Sequence, residues 1–184
     1  MESTLQPSKK SFPALLKQLP DMVVVSPECE TLLHAFSRPP NTEGHIPDYY
    51  LAIVDKAIPV QEIEQTFLYT SPYVGAVTTF TGIPRCTSGE SNQCDTITHL
   101  FYETYTKMVM KQMLALCNTL VEQFPGIFKV AVVMRVGLVP LQQPSLFVGI
   151  ASSHRQGGFD ALHYAVEYIK KDAVVWKKEL SLPS

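Results

Sequence analysis

Apolar and polar positions change period several times along the chain, and each change marks an element. Val109, Met113, Leu116, Leu120 and Phe124 advance by three or four residues, which predicts a long helix from about 107 to 124. Pro125-Gly126 should stop it. The stretch Tyr49 to Ile58 reads as a strand, and Pro59 opens a helix with Val60, Ile63 and Phe67 on one face. Tyr73 to Thr81 and Ile97 to Tyr105 are rich in β-formers. Val130, Val132, Met134 and Val136 alternate as a half-buried strand, and Leu146 to Ala151 is a continuously apolar one. A last helix is expected from about 158 to 171 with Phe159, Leu162, Val166 and Ile169 inward. Methionine and aromatic residues at these spacings are core residues. The interleaving predicts a mixed α/β (α+β) domain over residues 45–180.

Residues 1–44 follow a different pattern. Pro7, Pro13, Pro20, Pro27, Pro39 and Pro40 crowd this stretch, and Arg38-Pro-Pro-Asn-Thr-Glu-Gly44 reads as a linker. Within it Ser26 to Phe36 is a helix candidate, capped by Ser26 with Pro27 at its first position. The organisation expected is an extension over 1–44 and a catalytic domain over 45–184.

Composition narrows the function classes. The 184 residues amount to about one domain, with a formal net charge of −2. That charge argues against binding nucleic acid through global electrostatics. No apolar run approaches the roughly 18–20 residues of a membrane span, and the N-terminus lacks the basic and apolar regions of a signal peptide. The cytosol is the expected location. Cys29, Cys86, Cys94 and Cys117 include no C-x-x-C pair and match no zinc spacing, so incidental or buried thiols are expected, with no metal and no cofactor. Walker, G-x-G-x-x-G, G-x-S-x-G and H-E-x-x-H motifs are all missing from the sequence.

Three segments carry basic residues at the ends of elements. Thr79-Phe-Thr-Gly-Ile-Pro-Arg85 is a strand running through a glycine turn into an arginine. Ala151-Ser-Ser-His-Arg155 ends an apolar strand just before the last helix. Tyr168 to Lys178 holds Lys170, Lys171, Lys177 and Lys178 around Trp176. A strand end meeting a helix N-terminus offers free N–H groups and a positive dipole, and Arg155 adds a fork suited to phosphate. The same spacing equally suits a helix-capping turn with His154 and Arg155 on a solvated rim. Lysines closing a helix also serve as solvated complements to its dipole, and Trp176 reads as a packing anchor.

Taken together, Thr79–Arg85, Arg135-Val-Gly-Leu-Val-Pro140, Ser152-Ser-His-Arg155 and Val175-Trp-Lys-Lys-Glu179 resemble the large-subunit family of molybdopterin synthase in order and spacing. The resemblance covers roughly residues 45–180. It implies an α/β-hammerhead fold and a dimer of large subunits. Each would receive a small ubiquitin-like sulfur-carrier subunit whose Gly-Gly tail bears a thiocarboxylate, giving a heterotetramer. The implied substrate is cyclic pyranopterin monophosphate, which gains two dithiolene sulfurs on the route to molybdenum cofactor.

Carried over by motif, Lys170 and Lys177 match the family's active-site lysines. Arg85, His154 and Arg155 match its anion pocket, some of them reaching across the dimer. No cysteine has a family role, which implies that sulfur arrives on the partner. The chain departs from the family at Cys86, at Gly157-Gly158, at Gln143 where an acid is common, and at Val174 before Trp176. It also stops at Ser184, short of many relatives. Those departures and the extension also fit a non-catalytic dimeric binding module that keeps the fold.

Overall fold

In the computed structural model the described residues are 40–87, 97–172 and 175–181. The helix candidate at 26–36 lies outside them. Strands β1 (Asp48–Val54), β4 (Ile127–Arg135), β6 (Leu146–Ser152) and β2 (Ala76–Gly82) form one sheet in that spatial order. β1 runs parallel to β4, while β4–β6 and β6–β2 are antiparallel. A second sheet places β3 (Ile97–Thr104) between β5 (Gly137–Pro140) and β7 (Val175–Ser181), all antiparallel. The mixed α/β expectation is met. β5 was not foreseen, because four residues are too few to show a period.

Helices cover the first sheet on both faces. α2 (Thr106–Gln123) and α3 (Arg155–Asp172) pack on one side, while short α1 (Val60–Ile63) and the π-turn Glu64–Leu68 that continues it pack on the other. On α2 the residues Val109, Met113, Leu116 and Leu120 are buried as the spacing predicts, each side chain contributing about 1.5–3 kcal/mol. Gly126, at φ 66°, takes the chain out of the helix in a conformation that L side chains rarely adopt. Covering both faces corrects the half-buried reading of β4. All nine residues from Ile127 to Arg135 are buried, because Ala131 and Val133 meet the π-turn side while Val130, Val132 and Met134 meet the helices.

A second correction concerns α3. It begins at Arg155 rather than 158, and Phe159 is 55% exposed instead of inward. The small residues Ala161 and Ala165 make the close contact, with Val166 and Ile169 also buried. Trp176, expected as a packing anchor, is 59% exposed on β7.

β4 also buries a cation at each end. Lys129 Nζ donates to Thr70 Oγ1 at 2.8 Å, pairs with Asp48 Oδ2 at 3.6 Å and lies 4.9 Å from the Phe67 ring centroid. Burial lowers its pKa, against the opposing pull of Asp48. Nearby, Tyr50 has a buried hydroxyl with no hydrogen-bond partner, and burial together with the Glu62 charge pushes its pKa up to about 12.

Candidate functional site

His154 and Arg155 start α3, and the backbone under them is held from several directions. Ser153 N donates to Gly126 O at 2.8 Å, and Ser152 Oγ donates to His154 O at 2.9 Å. Thr78 Oγ1, on β2, donates to Gly158 O at 3.0 Å. A Cβ on Gly157 would lie 2.6 Å from Pro125 O, so only glycine lets the helix start sit this close to the turn before β4. The strap before β1 closes the same end: Asn41 Nδ2 donates to Ile127 O at 2.9 Å, and Gly126 N donates to Thr42 Oγ1 at 2.9 Å. The His154 and Arg155 side chains stand exposed on this fixed base. Ser152 contributes a hydrogen bond within the turn and does not bond a free N–H of the helix.

Lys170 lies fifteen residues beyond Arg155 on the same helix, and at about 1.5 Å per residue that is about 22 Å away. It occupies the opposite end of the domain. There its ammonium sits 5.3 Å from the Phe80 ring centroid of β2, an arrangement that orients the cation over the ring face. Arg85, exposed, follows β2 by three residues and so belongs to this end as well. Lys177, 50% exposed, is on β7, opposite Tyr102, which is itself opposite Gly137. Two strand spacings of about 4.8 Å put its backbone about 10 Å from Gly137, just past the end of β4. Lys177 Nζ holds Glu179 Oε1 at 2.8 Å, an exposed pair of the kind worth about 0–1 kcal/mol.

The five residues therefore fall into two sets. Arg85, Lys170 and Lys177 share one end, while His154 and Arg155 occupy the other. Within a single chain they do not converge. The first set offers two ammonium groups and a guanidinium for a polyanion; the second adds an imidazole and a guanidinium at the positive end of a helix.

Sequence reasoning passed over Arg135, quoting it within a motif without giving it a role. It is 8% exposed at the end of β4, with Nη1 donating to Gln143 Oε1 at 2.6 Å and Nη2 to Leu138 O at 3.3 Å. An arginine closing the apolar run from Val130 to Met134 was the available signal. The cysteines differ from the expectation in one respect: Cys86 is disulfide-bonded. Cys117 is a free buried thiol whose pKa is pushed up by desolvation, leaving it a poor nucleophile. Among the described residues no group of three side chains could hold a metal ion, and no helix is long and apolar enough to cross a membrane.

A family profile described as MoaE protein matches residues 53–172. The molybdopterin synthase catalytic subunit of Taeniopygia guttata is 30% identical over 134 residues, covering 73% of this chain and 83% of that protein. Molybdopterin synthase catalytic subunit 1 of Aedes aegypti is 32% identical over 130 residues, 71% of this chain and 80% of its own length. Among solved structures, molybdopterin synthase from Staphylococcus aureus superposes with a TM-score of 0.63 at 28% identity, covering 72% of this chain and 91% of that one. The segments at 79–85, 135–140 and 152–155 fall within the matched residues, in a fold shared with these proteins: the chain belongs to the MoaE protein family.

Proposed function

We propose that this chain is the catalytic large subunit of a molybdopterin synthase. In this reading it transfers sulfur from the thiocarboxylated C-terminus of a small ubiquitin-like subunit to cyclic pyranopterin monophosphate, forming the dithiolene of molybdopterin. The observation that carries the arrangement is the separation along α3. Lys170 lies about 22 Å along α3 from Arg155, with Arg85 and Lys177 at the Lys170 end, so a working site needs the second set from another copy. A homodimer of large subunits, each holding one small subunit, supplies it. Guanidinium groups bind the substrate phosphate and stabilise charge that develops as it opens. Lys170 and Lys177 hold the tail and move protons. A sulfur delivered by the partner agrees with the disulfide at Cys86 and the buried thiol of Cys117, neither of which suits a carrier. Residues 45–184 form the catalytic domain in this reading, with 1–44 as an extension, and the cytosol is the proposed location.

Complementation between inactive variants tests the shared site. Lys170→Ala and Arg155→Ala chains, each strongly impaired alone at substrate concentrations below KM, are mixed, dissociated and reassociated, then supplied with thiocarboxylated small subunit and substrate. Random pairing should restore about a quarter of the parent's sites, since half the dimers are mixed and each of those holds one intact site. No recovery in verified mixed dimers would mean that each site lies within one chain. No dithiolene product from the parent chain with a competent cognate small subunit would end the synthase reading.

A further inference from the structure

The connection from β5 to β6 is held by side chains and backbone to which the resemblance assigns no role. Gln142, in the middle of it, has φ 63°, a left-handed conformation that a residue with a Cβ adopts only when its surroundings impose it. The imposing contacts reach the exit of β2. Gln142 N donates to Pro84 O at 3.3 Å, Ser145 N donates to Gly82 O at 2.8 Å, and Ser145 Oγ donates to the same oxygen at 3.2 Å. The carbonyls at 82 and 84 bracket the approach to Arg85. On its other side the connection is fixed to β4, through Arg135 N to Ser145 O at 2.8 Å and the Arg135 guanidinium to Gln143 Oε1 at 2.6 Å.

We propose that Arg135 and Gln143 form a brace that positions Arg85 for the anionic substrate. This rests on the placement of Arg85 in the substrate pocket made above. The guanidinium is buried, its Nε has no partner, and both its acceptors, Gln143 Oε1 and Leu138 O, are neutral. Burying a cation without a carboxylate is unfavourable for stability, so an apolar residue would suit the strand end better if folding were all that mattered. What the charge gains here is a short, directed bond to one side chain of the connection that carries the Gly82–Pro84 contacts. Arg135 acts through Gln143 and the connection; it is a positioning residue. A loop held in this way presents Arg85 with less ordering left to do when substrate binds.

The test uses the full chain assembled with its small subunit. Gln143→Ala should raise KM for cyclic pyranopterin monophosphate about tenfold with much less change in kcat, the pattern of lost substrate binding. Gln143→Glu restores an acceptor opposite the guanidinium and should return KM to within about twofold of the parent. A KM unmoved by Gln143→Ala overturns the brace. So does a Gln143→Glu variant as impaired as Gln143→Ala, because restoring the acceptor opposite the guanidinium would then fail to restore the loop. Amide hydrogen exchange over residues 82–86 gives a reading that needs no turnover. Gln143→Ala should speed it relative to the parent, and unchanged protection there also overturns the proposal. If the parent makes no product, the synthase reading fails while this exchange measurement still decides the brace.

Discussion

At the Ser153 end of the domain the backbone is locked and the predicted site side chains stand exposed; at the Gly82 end the predicted lysines are held by contacts of their own side chains. His154 and Arg155 project from a helix start pinned by Gly126, Thr78 and the Asn41 strap. Lys170 and Lys177 are oriented instead by their own side-chain contacts, one over the Phe80 ring and the other against Glu179. Arg85 sits on a connection held from below by Arg135. The difference suits two tasks. In the proposed synthase, donors at a fixed helix N-terminus would suit an anion, while lysines held by their own contacts would be aimed at the tail. On the proposed reading neither end serves alone, because Arg85 and Arg155, the two guanidiniums for the substrate, stand at opposite ends.

The strongest way to break that division is at the lysine end. Lys170→Ala or Lys177→Ala should lower dithiolene formation by about 10²–10⁴-fold, the usual range for losing a group that moves a proton. The dimer should survive on size exclusion, since Lys170 is exposed and Lys177 is half exposed. If both variants turn over at the parent rate, the lysine end is not where the chemistry occurs. At the opposite end Arg155→Ala should act mainly on binding. Losing a charge-assisted contact worth about 1.5–3 kcal/mol raises KM by about 10–150-fold. A fall in kcat with KM unchanged would instead assign Arg155 to the transition state.

Much of the fold could be read from the sequence, and the misses share a physical cause. α2 was legible because Val109, Met113, Leu116 and Leu120 follow the helical period and Pro125-Gly126 ends it. β4 was half legible: its alternation is real, but Ala131 and Val133 are apolar too, and only the second layer of helix shows that both faces are covered. Phe159 misled because size was taken for burial, while the close helix–sheet contact selects Ala161 and Ala165. The basic residues at element ends could be picked out singly. Their sorting into two ends could not, since it depends on α3 being unbroken from Arg155 to Asp172. Arg135 was hidden because its partners, Gln143 and Leu138, are neutral and gave no charge pattern to find.

A smaller effect tests whether the locked end depends on its backbone. Gly157→Ala places a Cβ against Pro125 O, a carbonyl that cannot rotate away as a side chain would. The expected loss is about 1–3 kcal/mol in urea denaturation, as for other overpacked sites. The shift in α3 should also raise KM while sparing the position of Lys170 over Phe80. Full stability in this variant would show that the helix start can move, and the contrast between the ends would lose its structural basis.

The smallest effect is expected at Lys129, the buried cation at the locked end, and it sharpens the comparison with Arg135. Lys129 has a carboxylate, a hydroxyl and a ring around it, but nothing connects it to a predicted site residue. Burial holds its folded pKa below the ordinary 10.5, so the unfolded chain binds this proton more tightly than the native one. Its contribution is therefore unfavourable while the side chain is charged in both states. That penalty is relieved as pH rises from the lowered folded value through 10.5. Lys129→Met keeps the volume and removes the titration. At neutral pH it should change stability by no more than about 1 kcal/mol, because Asp48 is 55% exposed and stays hydrated. The parent should gain stability relative to the variant as pH climbs toward 10.5, and KM should not move. A loss of about 3–5 kcal/mol at neutral pH would instead make Lys129 an indispensable buried pair. A change in KM would extend the substrate-positioning role now given to Arg135 to the other end of β4.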